Sequence, residues 1–161
     1  RPTVLVLSRQ GLRPVDRRHS GEPSSVHRGG YRVAGNGVAQ VTLLASGSEV
    51  GIAIEARTLL AEAGIRAAVV SMPSLELFAE QPDDYRRDIL GTAPRIVIEA
   101  SIAQSWATLT EPGDRTIAMT GFGASAPAGD LYERFGITAQ RVRDEAFDVV
   151  HTCTQLQQGA R

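Results

Sequence analysis

A chain of 161 residues, 42% apolar and only 5% aromatic, can bury the core of one domain and little more. Its 17 cationic side chains, all arginine, stand against 18 carboxylates for a formal net charge of −1, a balance unlike that of a strongly basic nucleic-acid binder. No apolar run is long enough to cross a bilayer, no signal-like leader opens the chain and the lone Cys153 rules out an internal disulfide, so a cytoplasmic, non-membrane protein is expected.

In chain order, residues 3–8 (TVLVLS) form a β-branched apolar run that predicts a buried strand. Residues 11–30 are rich in Pro, Gly, Ser and Arg with almost no periodic apolar positions, the composition of a linker. The first strand is therefore expected to belong to a different domain from the elements that begin at Tyr31. Residues 31–34 and 40–45 predict two strands, with Gly35-Asn36-Gly37 as a turn that would make them a hairpin. A helix begins after Ser46. Ser46 and Glu49 have capping-box spacing, Val50, Ile54, Leu59 and Leu60 share an apolar side, and Gly64 closes the helix with Ile65 packed back on it. Residues 67–72, 95–100 and 116–120 predict strands. A short helical turn from Pro73-Ser74 through Phe78, a polar helix over 82–90 and two last helices over 128–135 and 138–150, divided by Gly136, complete the pattern. Strands alternating with helices favour parallel pairing covered on both faces. The predicted fold is α/β, a three-layer Rossmann-like domain over residues 31–150 with a mixed, mostly parallel sheet, and then a frayed polar tail over 151–161. The apolar strand at 95–100 and the Trp106 region are expected to leave an interface surface.

Charge is uneven. Arg1, Arg9, Arg13, Arg17, Arg18, Arg28 and Arg32 face only Asp16 and Glu22 in the first 32 residues. No aromatics interleave them as a stacking platform for single strands requires, so a solvated, ion-paired segment is the expected reading and no nucleic acid is a predicted partner. Arg9 comes directly after a strand end, where open α/β sheets place ligands, and its guanidinium fork suits a phosphate or carboxylate. Ser46-Gly47-Ser48 opens a helix, but the dinucleotide and lysine-bearing phosphate fingerprints are absent and Glu49 would repel an anion, which favours capping over anion binding. Ser125 has no histidine placed to activate it. His19, His27 and His151 lack metal-ligand spacing, His151 and Cys153 lie in the expected tail, and Asp83, Asp84, Glu111 and Asp114 are expected to be ordinary solvated acids.

Four phrases in order, Leu7-Ser8-Arg9-Gln10, Ala45-Ser46-Gly47-Ser48-Glu49-Val50, Val70-Ser71-Met72-Pro73-Ser74 and Gly121-Phe122-Gly123-Ala124-Ser125-Ala126-Pro127, resemble the carboxy-terminal part of the transketolase family from Arg1 to about Val150. The resemblance implies that residues 1–10 end a preceding pyrimidine-binding domain, that 11–30 link it to the transketolase C-terminal domain, and that Arg9 contacts the phosphate end of a sugar substrate. It further implies thiamine diphosphate with Mg²⁺ or Ca²⁺ in the complete enzyme, none of it held by this chain, which lacks the family's cofactor-binding motifs. The partners so implied are the remaining cofactor-binding domains, in the same chain or a separate subunit, a homodimer mate and sugar phosphates. The chain opens on Arg1 rather than Met, and a piece of a longer protein, inactive alone, is the expectation. It departs from the family after Trp106, where Leu109 and Glu111 replace an aromatic residue and a glycine. A C-terminal domain of another thiamine-dependent enzyme, and a non-catalytic association or regulatory module, are the alternatives.

Overall fold

The computed structural model describes residues 2–15, 23–35 and 37–159. Among these, β1 (Tyr31–Ala34), β2 (Val41–Ala45), β3 (Ala67–Ser71), β4 (Arg95–Ile102) and β5 (Arg115–Met119) form one sheet in the order β1-β3-β2-β4-β5. All neighbours are parallel except the edge pair β1 and β3. The helices are α1 (Glu49–Glu62), α2 (Leu75–Ala79), α3 (Asp83–Leu90), α4 (Ala128–Phe135) and α5 (Ala139–Gly159), with 3₁₀ turns at Pro23–Arg28 and Ala103–Trp106.

Side chains alternate across a strand, and here both faces are apolar. Leu43, Val69, Ile96 and Ile98 face one way, into a core shared with Ala53, Ala56 and Leu60 of α1 and Val142 and Ala146 of α5. Leu44, Val70 and Val97 face the other, against Phe78 of α2, Ile89 of α3, Met72, Trp106 and Leu109. At about 1.5–3 kcal/mol for each large apolar side chain buried, neither layer of helices is dispensable. The result is the expected three-layer α/β domain.

Several predicted ends are seen in detail. At the close of α1 the Gly64 amide bonds to the Ala61 carbonyl and the Ile65 amide to that of Leu60, at 3.0 and 2.9 Å, with Gly64 at φ +79°; this is the Schellman arrangement. Ser74 caps α2 by accepting from the Leu77 amide at 3.2 Å.

Five expectations are corrected. Residues 3–8 form no strand, and Val4, Leu5, Val6 and Leu7 are 79–92% exposed, because a strand needs a neighbour to satisfy its backbone and the domain's sheet provides none. The hairpin is not made: β1 pairs antiparallel with β3 instead of β2. The capping box of Ser46 and Glu49 is not made either, since the Glu49 amide bonds to the Ser46 carbonyl and not its hydroxyl, the Ser46 hydroxyl is engaged by Glu99 and the Glu49 carboxylate by Ser48 and Tyr132. The expected tail is helical, α5 running on to Gly159. The apolar strand β4 and Trp106 are covered within the domain, with Ile96, Val97 and Ile98 fully buried and Trp106 1% exposed, so they do not leave the expected apolar surface.

The end of the arginine-rich segment is also packed. Arg28 lies over the Tyr85 ring, 4.4 Å from its centroid, and the Tyr85 hydroxyl donates to the Gly30 carbonyl at 2.8 Å. Arg32 donates to the Asp88 carbonyl at 2.8 Å, meeting the negative end of α3. Gly29 holds this crossing together at φ +80°, where an added Cβ would sit 2.4 Å from both the Phe78 amide nitrogen and the Ser74 carbonyl. Gly64 has a similar φ but open space around it. Gly64→Ala should therefore cost about 1–2 kcal/mol for backbone strain alone, and Gly29→Ala measurably more; equal losses in denaturant unfolding would contradict the close approach.

Candidate functional site

The sheet order fixes where a ligand edge lies. From β2 the chain crosses through α1 to β3 on one side, then returns through α2 and α3 to β4 on the other. The switch point of such a sheet is the crevice at the carboxyl ends of the two strands, here β2 and β4. Three of the four diagnostic phrases meet at this edge.

After β2, the Ser46 hydroxyl donates to Glu99 Oε2 of β4 at 3.4 Å, and the Ser48 hydroxyl donates to Glu49 Oε1 at 3.0 Å. Glu99 also accepts from the Trp106 indole at 2.9 Å and the Ser101 amide at 3.0 Å. Glu49 is 4% exposed and accepts a hydrogen bond from the Tyr132 hydroxyl of α4. Both serines are thus engaged by carboxylates, which makes this helix start unsuited to phosphate. Neither capping nor anion binding describes it; the loop is a clasp between β4 and α4.

The first phrase joins the same edge. The Gln10 amide donates to the Tyr132 hydroxyl at 3.4 Å, a Cβ built on Gly47 would lie 3.8 Å from Ser8 Oγ, and Val15 packs on the core. Between them Arg9 is exposed and has no hydrogen bond or ion pair with a described residue. Gln10 and Tyr132 also border a cleft of about 250 Å³ walled by Met119, Leu131, Phe135 and the loop at Gly123 and Ala124. Ser125 in that loop is exposed, with no base bonded to it among the described residues.

The other candidates are scattered. His19 lies outside the described residues. His27 is exposed in the first 3₁₀ turn, and His151 stacks on Phe147 at 6.1 Å. His151 and Cys153 both sit on α5, where residues two apart do not face each other. Asp83 pairs with Arg86, whose hydrogen bond and charge lower its pKa; Asp84 bonds to the Tyr85 amide. Asp114 is not the solvated acid expected. Its side chain is 8% exposed and accepts from the amides of Arg95 and Glu111 at 2.7 and 2.8 Å. Sequence reading missed Glu49, Glu99 and Tyr132 as a cluster. Glu49 was inside a diagnostic phrase, but its partner is 83 positions away.

Held against the needs of a metal-bound diphosphate, the edge does not fit. A hard divalent cation takes several converging oxygen ligands; among the described residues no three His, Cys, Asp or Glu converge to hold one, and Glu49 and Glu99 are each occupied. No helix among the described residues is long and apolar enough to cross a membrane.

A family model described as the transketolase-like TK C-terminal domain matches residues 29–138. The chain belongs to the transketolase C-terminal domain family. It is 52% identical over 141 residues to transketolase of Cereibacter sphaeroides, covering 88% of this chain and 21% of that protein. Among solved structures, transketolase from Leishmania mexicana superposes with a TM-score of 0.74 at 38% identity, over 80% of this chain and 19% of that one. A mutant transketolase from Pichia Stipitis gives 0.81 at 26% identity, over 91% and 21%. The chain spans about a fifth of the length of the curated relatives it matches. At the family's departure point, Leu109 is buried among Trp106, Phe78 and Ile89 and its amide closes the turn on the Trp106 carbonyl at 2.9 Å.

Burial first, and then the hydrogen bond to Glu49, raise the Tyr132 phenol above its ordinary value. The protonated form is therefore favoured by folding. Its contribution is complete below the unfolded phenol value of about 10 and is lost as pH rises through the higher folded value. Tyr132→Phe should destabilise the domain by about 1 kcal/mol at neutral pH, with the gap to the parent narrowing above about pH 10. Thermal melts across that range check it; a gap that does not change with pH would contradict the phenol's role as donor.

Proposed function

We propose that this chain is the carboxy-terminal part of a transketolase, working within the complete enzyme to move a two-carbon ketol unit from a ketose phosphate to an aldose phosphate. Family membership supports the activity. The observation that carries the site is the Ser8-Arg9-Gln10 phrase, laid along the carboxyl edge of the domain with Arg9 exposed and unpaired among the described residues. A guanidinium presented this way is ready for bidentate contact with a phosphate, and in this reading Arg9 receives the phosphate of the sugar.

Residues 1–10 are then the end of the preceding pyrimidine-binding domain. Four consecutive exposed apolar side chains, Val4 to Leu7, suit a strand that pairs outside this domain. Thiamine diphosphate with Mg²⁺ or Ca²⁺ supplies the carbon–carbon bond chemistry of the complete enzyme. The remainder of that enzyme, in the same chain or as a separate subunit, holds it, because the groups at this edge do not. A homodimer, a cytoplasmic setting and a place in the pentose phosphate pathway or Calvin cycle belong to the same reading. The isolated chain should take up no thiamine diphosphate in calorimetry with Mg²⁺; stoichiometric binding would overturn the division of labour.

The site is tested with hydroxypyruvate as donor and two acceptors, one phosphorylated and one not. In the complete enzyme Arg9→Ala should lose about 1.5–3 kcal/mol in kcat/KM on the phosphorylated acceptor and little on the other. Arg9→Lys should recover part of it, keeping charge without the fork. The same factor lost on both acceptors would remove Arg9 from the phosphate site.

A further inference from the structure

The chain of bonds from Gln10 through Tyr132 to Glu49 has a feature that packing alone does not require. Gln10 is an exposed residue of an irregular segment, yet its amide reaches a hydroxyl 122 positions away. That hydroxyl donates onward to a carboxylate that is 4% exposed and whose same oxygen, Oε1, also accepts from the Ser48 hydroxyl. With its proton directed at Glu49, the Tyr132 oxygen keeps its lone pairs for Gln10. Ser8, on the far side of Arg9, approaches Gly47 in the same clasp. One neighbour of Arg9 is therefore bonded to the domain and the other lies near it, while Arg9 makes no hydrogen bond or ion pair with a described residue.

We infer that Tyr132 and Glu49 are positioning residues for Arg9: they fix the backbone at Gln10, through the Gln10 side chain, so that the Arg9 side chain starts from one place and the guanidinium reaches a narrower region. The inference rests on the reading of Arg9 as the phosphate contact. It gives the C-terminal domain a share in substrate selectivity, although none of its side chains touches the reacting carbon atoms. Fixing the backbone that carries a long side chain before the ligand arrives lowers the entropy lost on binding, so the benefit appears only with ligands that use the guanidinium. Glu49 serves because a buried carboxylate orients the phenol proton more firmly than water could.

The test is the ratio of kcat/KM for a phosphorylated acceptor to that for an unphosphorylated one, in the complete enzyme with hydroxypyruvate as donor. Tyr132→Phe and Gln10→Ala should each lower this ratio on the order of fivefold, the loss of one hydrogen bond. Their double mutant should fall no further than either alone, since they act in series. In an Arg9→Ala background Tyr132→Phe should leave the ratio where Arg9→Ala put it. Gln10→Ala changes an exposed side chain, so it remains informative if Tyr132→Phe folds poorly. If Arg9→Ala lowers the ratio and neither Tyr132→Phe nor Gln10→Ala does, the positioning role is wrong and the phosphate contact stands. If Tyr132→Phe lowers both rates equally, the cluster is structural only. If Arg9→Ala leaves the ratio unchanged, both readings fall.

Discussion

All five residues of β2 are buried, and the architecture of the domain comes from covering them. A strand whose two faces both exclude water cannot sit at an edge or under one layer of helices. It needs strands on both sides and helices above and below. The chain meets this by reversing its direction of travel at β2: outward through α1 to β3, then back across to β4. The reversal puts α1 and α5 on one face and α2 and α3 on the other, and it opens the crevice at the carboxyl ends of β2 and β4. The core and the functional edge thus have one origin.

That edge is held by two carboxylates with different tasks. Glu99 gathers Ser46, Ser101 and Trp106 around the end of β4, while Glu49 gathers Ser48 and Tyr132 around the start of α1. A carboxylate drawn from water without donors is costly, and the buried Glu49 and the half-buried Glu99 are each supplied with them. The arrangement makes the edge stiff and disinclines it to bind anions of its own. An arginine that is to bind an anion beside it has to come from outside the sheet, and in the proposed function residue 9 is that arginine.

Much of the fold was legible because its signals are local. The apolar runs of β2 to β5, the glycine that ends α1, the serine that starts α2 and the split of the last helices at Gly136 depend on residues within a few positions of one another. The features that were not legible depend on distant partners. Residues 3–8 have strand composition but no neighbour in this sheet. The Ser46 and Glu49 spacing fits a capping box, yet Tyr132 competes for the carboxylate from α4 and wins. The Gly35-Asn36-Gly37 sequence suits a hairpin, but β3 comes between β1 and β2. Asp114 looked like a surface acid because nothing near it in sequence announces Arg95, 19 positions earlier. Arg9 was singled out by a phrase and a strand end; the bond beside it, from Gln10 to Tyr132, is tertiary and left no trace in spacing.

The sequence contains a single tryptophan, and it is Trp106, buried with its indole N–H on Glu99. Because Glu99 also receives Ser46, the chromophore is wired to the crevice at the ends of β2 and β4 and not to a remote part of the core. Its emission is therefore an intrinsic gauge of that crevice. Loosening of the clasp shifts the light the protein gives off, with no label attached.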